Sequence, residues 1–274
     1  MPNDDETGTR RSALGRVVQK TAGDGRTEIV THVLSSTSEL ERRQAFLDHY
    51  RRVPIPDNEL LSNMGLFLNR QTLSRLLFLH EIYRAALDVH GVIMEFGVRW
   101  GRDLVAFSTF RGTYEPYNYM RKIIGFDTFA GFPSTGEADQ AGMAQAGDYS
   151  VTEGYEDYLR AILDFHESES PLGHIEKYEL VKGDAIETVP AYLQQHPETI
   201  ISLAYFDMDV YAPTKACLDA IRPHLVKGSV IGFDEVGYAE FPGETKALME
   251  AFDLNRCKLR RSSFAPGPCY MVLD

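Results

Sequence analysis

The chain has 274 residues, enough to bury the core of one large α/β domain with additions and too few for two complete domains of that size. A formal charge of −12 argues against a nucleic-acid backbone as partner, while 43% hydrophobic and 25% charged residues are ordinary for a globular chain that handles small molecules. Three cysteines, Cys217, Cys257 and Cys269, are odd in number and lack CxxC spacing, so neither a disulfide framework nor a zinc site is expected.

The first thirty residues contain no apolar stretch suited to a signal sequence, and no run is long enough to cross a bilayer. A soluble, cytoplasmic protein without a membrane partner is expected. Residues 1–26 are polar and rich in Gly, Thr and Arg, which predicts a mobile tail. Residues 27–90 read as an N-terminal helical extension. Its first helix runs from about Ser38 to Arg52, with Ser38 as N-cap and Glu41 as capping-box partner, and Pro54 and Pro56 end it. Its second spans Thr72 to Val89, where Leu76, Leu79, Ile82, Tyr83 and Ala86 recur at helical spacing before Gly91.

From residue 91 to 274, short apolar runs alternate with helix-compatible segments, the pattern of βαβ units on a parallel sheet. The fold class is therefore α/β, a Rossmann-like doubly wound and mostly parallel sheet. Lys258-Leu259-Arg260 and Cys269-Tyr270-Met271-Val272 predict a closing antiparallel hairpin. One long segment, about 131–150, interrupts the alternation with Pro133, Gly136, Gly142 and Gly147, and its length and position predict a lid.

Four of the apolar runs stop on an acid: Val92-Ile93-Met94 at Glu95, Ile123 to Phe126 at Asp127, Ile200 to Phe206 at Asp207, and Val230 to Phe233 at Asp234. A fifth, Tyr178 to Val181, is followed by Asp184. Ligands of open parallel sheets bind outside the carboxyl ends of the strands, so these acids should share one cleft suited to a cationic ligand, a divalent metal, or both.

The turn Glu95-Phe96-Gly97-Val98-Arg99-Trp100-Gly101 bears glycines but is not the dinucleotide fingerprint, whose later glycines are replaced here by Arg99 and Arg102. Glu95 points toward an amine or another donor, and an arginine of this turn suits a ligand carboxylate through two hydrogen bonds. Trp100 is equally compatible with packing. Asp127, followed by Thr128 and Phe129, suits the two hydroxyls of a ribose. Asp184, with the backbone N–H of Ala185 beside it, suits an adenine edge; a helix cap or Asx-turn is the alternative for that residue. Asp207-Met208-Asp209 and Asp234-Glu235 close strands separated by room for a helix and a return strand, so Asp207, Asp234 and Glu235 would reach one hard cation such as Mg2+. The alternative makes Asp209 a helix cap and leaves Glu235 in solvent. His80, His90 and His224 fit no catalytic or ligand spacing and read as packing residues.

Together, Glu95-Phe96-Gly97, Asp127-Thr128-Phe129-Ala130-Gly131-Phe132-Pro133, Phe206-Asp207-Met208-Asp209-Val210-Tyr211-Ala212-Pro213-Thr214 and Gly232-Phe233-Asp234-Glu235 resemble the macrocin O-methyltransferase family. The resemblance spans roughly residues 60 to 255. It implies a class I fold and S-adenosyl-L-methionine- and Mg2+-dependent methylation of sugar hydroxyls on a small-molecule glycosylated natural product, by a homo-oligomer. It further implies that Glu95, Gly97, Arg99 and Gly101 line the methionine and ribose side of the cofactor. Asp127, Thr128 and Phe129 would lie at the ribose, Asp184 and Ala185 near adenine, and Asp207, Asp234 and Glu235 on the metal, with Asp207 or Asp209 as general base. The family usually places Trp before Arg in the glycine turn and often ends the last acidic strand with two aspartates; here the order is Arg99-Trp100, and Glu235 stands second. A catechol-type or other small-molecule O-methyltransferase, and a non-catalytic nucleoside-binding regulatory module, are the competing readings.

Overall fold

The computed structural model describes residues 19–21, 27–29, 36–140, 142 and 144–274, which fall into two compact units, Met1–Leu73 and Ser74–Asp274. In the first unit, β1 (Gln19–Thr21) pairs antiparallel with β2 (Thr27–Ile29). The first of these strands falls inside the stretch expected as a tail, and the rest of that stretch lies outside the described residues. Helix α1 (Thr37–Arg51) starts earlier than expected. Its cap is Ser36 rather than Ser38: the Glu39 carboxylate accepts from the Ser36 backbone N–H at 2.8 Å and from its hydroxyl at 3.0 Å. Two overlapping Ser-x-x-Glu pairs were available, and α1 buries no residue that would fix its start by packing, so the upstream box sets it. Short helical turns over Asp57–Leu60 and Leu61–Phe67 follow, and Phe67 packs on Phe46 and Tyr50 at ring separations of 6.0 and 5.0 Å.

Helix α2 (Arg70–Ala85) begins before and stops short of the expected span. The Ala86 N–H bonds both the Ile82 and Tyr83 carbonyls, tightening the last turn, so the chain reaches Gly91 as a bend. At Gly91, with φ +134°, a Cβ would sit 2.4 Å from the Ile200 carbonyl oxygen, which explains the glycine. Phe78, Leu79, Ile82, Tyr83 and Ala86 are buried in the core of the second unit. This compact unit begins at Ser74, inside α2.

Seven strands form the main sheet: β3 (Val92–Phe96), β4 (Ile123–Asp127), β5 (Tyr178–Lys182), β6 (Ile201–Phe206), β7 (Leu225–Phe233), β8 (Arg260–Arg261) and β9 (Cys269–Val272). Their order is β5-β4-β3-β6-β7-β9-β8; the first five are parallel, and β9 joins β7 antiparallel with β8 beyond it. The expected closing hairpin is thus present. Side chains alternate between the two faces with the strand period. Ile93, Leu203, Tyr205 and Val230 pack toward α2, α3 (Arg102–Tyr114) and α4 (Tyr155–Ser168). Met94, Phe96, Phe206, Ile231 and Phe233 pack toward α5 (Ala185–Gln195), α6 (Tyr211–Ile221) and α7 (Gly243–Ala251). Strand order reverses at β3 and β6, so the ligand crevice of this topology lies beyond their carboxyl ends. Among the described residues no helix is long and apolar enough to cross a membrane.

A buried ion cluster ties α3, α4 and the start of β5 together. Arg111 donates to the Lys177 carbonyl at 2.8 Å and pairs with Glu167, whose other oxygen lies 2.6 Å from the Lys177 ammonium. All three are nearly inaccessible, so removing one charge strands the others. Glu167→Gln should lower unfolding stability by about 3–5 kcal/mol in urea titrations; a loss below about 1 kcal/mol would show the cluster to be dispensable.

Candidate functional site

Four phenylalanines set the level of the strand tips. In the parallel register Phe96 faces Phe126 on one side and Phe206 on the other, and Phe206 faces Phe233. Their rings stack in a row with centroid separations of 5.5, 4.6 and 5.3 Å. Asp127, Asp207 and Asp234 each follow one of these rings by one residue. The ladder continues past it, since Asp207 N–H donates to the Phe96 carbonyl at 2.9 Å and Asp234 N–H to the Phe206 carbonyl at 3.0 Å. Alternation then turns the aspartates away from the rings, to the α2 side. Glu95 precedes Phe96 instead and shares that side.

On that side the second turn of α2 presents Arg75. Its guanidinium bridges three carboxylates from separate segments: Asp103 at the start of α3, with Nε to Oδ2 at 2.8 Å, and Asp207 and Asp234, each at 2.5 Å from one Nη. The same guanidinium lies 5.6 Å from the Tyr205 ring, and the Tyr205 hydroxyl donates to Asp234 at 3.2 Å. Burial acts against the ionised form of Asp103, but Arg75 and Arg102 more than offset it and lower its pKa. For Glu95 the same arginines fall short. It is 1% exposed, its Oε2 has no hydrogen-bond partner among the described residues, and burial with repulsion from Asp103 and Asp207 raises its pKa well above the carboxylate range.

The cluster carries more negative than positive charge. Burial pushes Asp207 up to about 7, Arg75 opposing and Asp234 and Asp103 adding. Burial and Asp234 push Glu235 up to about 8, and Asp209 rises through burial and repulsion by Glu235 and Asp207. Glu244, fully buried at the start of α7, fastens both acidic turns: its carboxylate accepts from the Met208 N–H at 3.1 Å and the Glu235 N–H at 3.2 Å. Asp209 does not cap α6. The Tyr211 N–H is capped by Asp139 from the 131–150 segment, at 2.9 Å, and the Lys246 ammonium donates to the Ala138 carbonyl. That segment also brings the Tyr149 ring to 4.7 Å from the Arg99 guanidinium.

The glycine turn is fixed by close approach. Gly97 has φ +93°, and a Cβ there would lie 2.0 Å from the Asp207 carbonyl oxygen; one at Gly101 would lie 2.3 Å from a Leu159 methyl. Asp127 locks this turn to its own, accepting from the Arg99 N–H at 2.7 Å and the Phe129 N–H at 2.5 Å. Burial raises its pKa, and these N–H groups oppose the rise. Arg99, Phe129 and Asp209 hold left-handed backbone at φ +49°, +54° and +60°, one in each turn after β3, β4 and β6. Arg99 Nε has no hydrogen-bond partner among the described residues.

Of the residues singled out in the sequence, Asp207 and Asp234 do converge on one cation, and that cation is an arginine. Among the described residues no group of three His, Cys, Asp or Glu side chains is placed to hold a metal ion, because Arg75 occupies the oxygens that face each other. Glu235 Oε2 lies buried without a partner among the described residues. Thr128 closes its own turn on the Gly131 carbonyl at 2.7 Å. Asp184 caps α5, accepting from the Ile186 N–H at 3.0 Å, and Ala185 is buried as the first helical residue. His80 and His224 bond Tyr114 and the Thr199 carbonyl as packing residues. Sequence reading missed Arg75, Asp103 and Glu244. Their signal was an unexplained charge on, or at the start of, an otherwise apolar helix face.

Solved structures similar to this chain include CalS11, described as a calicheamicin methyltransferase, at 47% identity over 88% of this chain and 94% of that one, with a TM-score of 0.85. A second, apo structure of CalS11, described as a TDP-rhamnose 3'-O-methyltransferase of calicheamicin biosynthesis, matches at 44% identity over 88% and 96%, with a TM-score of 0.78. The O-methyltransferase NovP, at 17% identity over 73% and 80% with a TM-score of 0.57, shares the fold. No protein-family model and no curated protein sequence matches the chain.

Gly97→Ala should destabilise the protein by more than about 1–3 kcal/mol, because both the left-handed backbone and the contact with Asp207 oppose a side chain. An unchanged urea midpoint would contradict the close approach.

Proposed function

Since the chain belongs to the macrocin O-methyltransferase family, we propose that it transfers a methyl group to a sugar hydroxyl, with Mg2+ held by Asp207, Asp234 and Glu235. It is an S-adenosylmethionine-dependent O-methyltransferase of the class I fold. The observation that carries the proposal is the surplus of carboxylate at the tips of β3, β6 and β7, where Glu95 Oε2 and Glu235 Oε2 are buried without hydrogen-bond partners among the described residues, an arrangement suited to cationic ligands. The donor chemistry present suits both groups, the metal only once Arg75 gives up the oxygens of Asp207 and Asp234. The orphaned Glu95 Oε2 suits the amino group of the methionine moiety and the orphaned Arg99 Nε its carboxylate, beside the turn of Gly97 and Gly101. Asp127 keeps lone pairs for ribose hydroxyls after accepting from two backbone N–H groups, with Thr128 and Phe129 shaping its turn. The second carboxylate oxygen of Asp184, and the Ala185 N–H, are assigned to adenine. Glu235 Oε2 and the two aspartates supply the hard oxygen donors that Mg2+ requires.

S-adenosylmethionine supplies an electrophilic methyl carbon on a sulfonium, and Mg2+ supplies Lewis acidity that lowers the pKa of a bound hydroxyl. The chain supplies proton acceptance and alignment. Asp209 or Asp207 would accept the hydroxyl proton as the acceptor oxygen is methylated, with S-adenosylhomocysteine as the leaving thioether. Glu244 keeps both acidic turns in place, and the 131–150 segment, anchored by Asp139 and Lys246, bounds the cleft as a lid that excludes water. Holding oxygen, carbon and sulfur in line supplies several kcal/mol of the barrier, on the order of 7 or more at best. The acceptor class follows the relative: a nucleotide-activated deoxysugar such as TDP-rhamnose is the first to assay, against the same sugar already attached to an aglycone. A homo-oligomeric assembly completes the proposal.

Asp234→Ala should nearly abolish turnover while leaving S-adenosylmethionine affinity within about a few-fold, because the metal engages the acceptor. Equal losses of both in calorimetry and turnover would place Asp234 at the cofactor. Asp127→Ala should weaken cofactor binding by about 1.5–3 kcal/mol, and unchanged affinity would remove the ribose assignment. Chelation with EDTA should stop methyl transfer to both sugar acceptors, and undiminished turnover would exclude the metal.

A further inference from the structure

We propose that Arg75 is an exchangeable counter-cation: it holds the acidic tips of β6 and β7 together in the metal-free protein and is the group that a divalent metal must displace. This rests on the assignment of Asp207, Asp234 and Glu235 to Mg2+. The guanidinium spends two of its nitrogens on Asp207 Oδ2 and Asp234 Oδ2, the oxygens that face each other across adjacent strands. Two cations cannot share those oxygens at ligand distance without strong mutual repulsion. Arg75 also has a second anchor. Its Nε bonds Asp103, and the Nη that contacts Asp207 is shared with Asp103 as well; this carboxylate lies at the N-terminus of α3, where both the helix dipole and Arg102 stabilise negative charge.

The geometry therefore provides a resting place. Released from Asp207 and Asp234, the guanidinium keeps its pair with Asp103 and stays beside the Tyr205 ring, so displacement does not strand a buried charge. Neither partner strand tip has a comparable alternative. Asp234 accepts one further bond from Tyr205, and Asp207 has no other cation within salt-bridge distance among the described residues. One device thus keeps the site assembled when metal is absent and sets how tightly metal binds. Arg75 is a positioning residue, with metal affinity as its signature.

The test compares Mg2+ binding by wild type, Arg75→Gln and Arg75→Lys, read by calorimetry and by the Mg2+-induced rise in melting temperature without cofactor or acceptor. Arg75→Gln should melt lower than wild type in EDTA, should bind Mg2+ about tenfold or more tightly, and should gain a larger thermal shift that recovers most of the loss. Arg75→Lys keeps one charge but lacks the fork that spans three carboxylates, so its affinity should fall between the two. Should Arg75→Gln fail to fold in EDTA, folding on addition of Mg2+ supports exchange, and intermediate behaviour of Arg75→Lys supports it independently. Equal Mg2+ affinity in all three proteins would overturn the exchange while leaving the metal assignment standing. No Mg2+ response in any of them would overturn both, and weaker binding by Arg75→Gln would show Arg75 to be a fixed part of the metal site.

Discussion

Carboxylates brought to one level by the register of parallel strands repel one another, and the architecture of this protein is organised around containing that repulsion. Stacked rings of Phe126, Phe96, Phe206 and Phe233 fix the level, and the residues one step beyond three of them are aspartates. The phenylalanines bury themselves on the α5–α7 side, so the acids must emerge toward α2. There Arg75 meets Asp103, Asp207 and Asp234, and Glu95 is buried with its Oε2 lacking a hydrogen-bond partner among the described residues. The site is incomplete by charge. The methyl donor is a cation, as the proposed metal would be, which makes ligand binding the natural completion of the fold's electrostatics.

Backbone geometry at the same edge is equally constrained. Three of the four connections that carry the acids contain a non-glycine residue in left-handed conformation, each costing on the order of 1–3 kcal/mol. Asp127 offsets part of this by fastening two of those turns at once through the Arg99 and Phe129 N–H groups. Glu244 does the same for the Asp207 and Asp234 turns. Gly243 lets α7 come close enough for this, since a Cβ there would lie 2.5 Å from the Asp209 carbonyl oxygen. Buried carboxylates thus serve as fasteners as well as candidate ligands.

Much of this was legible in the sequence because it is written locally. Apolar runs ending on acids, with helix-compatible stretches between, give the parallel sheet and its acidic edge, and Cys269 to Val272 gives the antiparallel return. The cation at the centre was not legible. Arg75 acts on Asp103, Asp207 and Asp234 across large sequence separations, so its place on an otherwise apolar helix face marks it as unusual but says nothing of which acids it meets. The α1 cap was misplaced for the opposite reason: Ser36 and Ser38 offer equivalent local boxes, and an exposed helix has no packing to choose between them. Asp184 illustrates a third case, where one carboxylate satisfies a helix cap and still leaves an oxygen for a ligand.

The most direct test is a crystal structure of the protein with S-adenosylhomocysteine and Mg2+. The account predicts the ribose against Asp127, the amino-acid portion between Glu95 and Arg99, and the ion between Asp207 and Asp234 with Arg75 withdrawn toward Asp103. A nucleoside bound away from Asp127, or an ion bound away from the β6 and β7 tips, would contradict it.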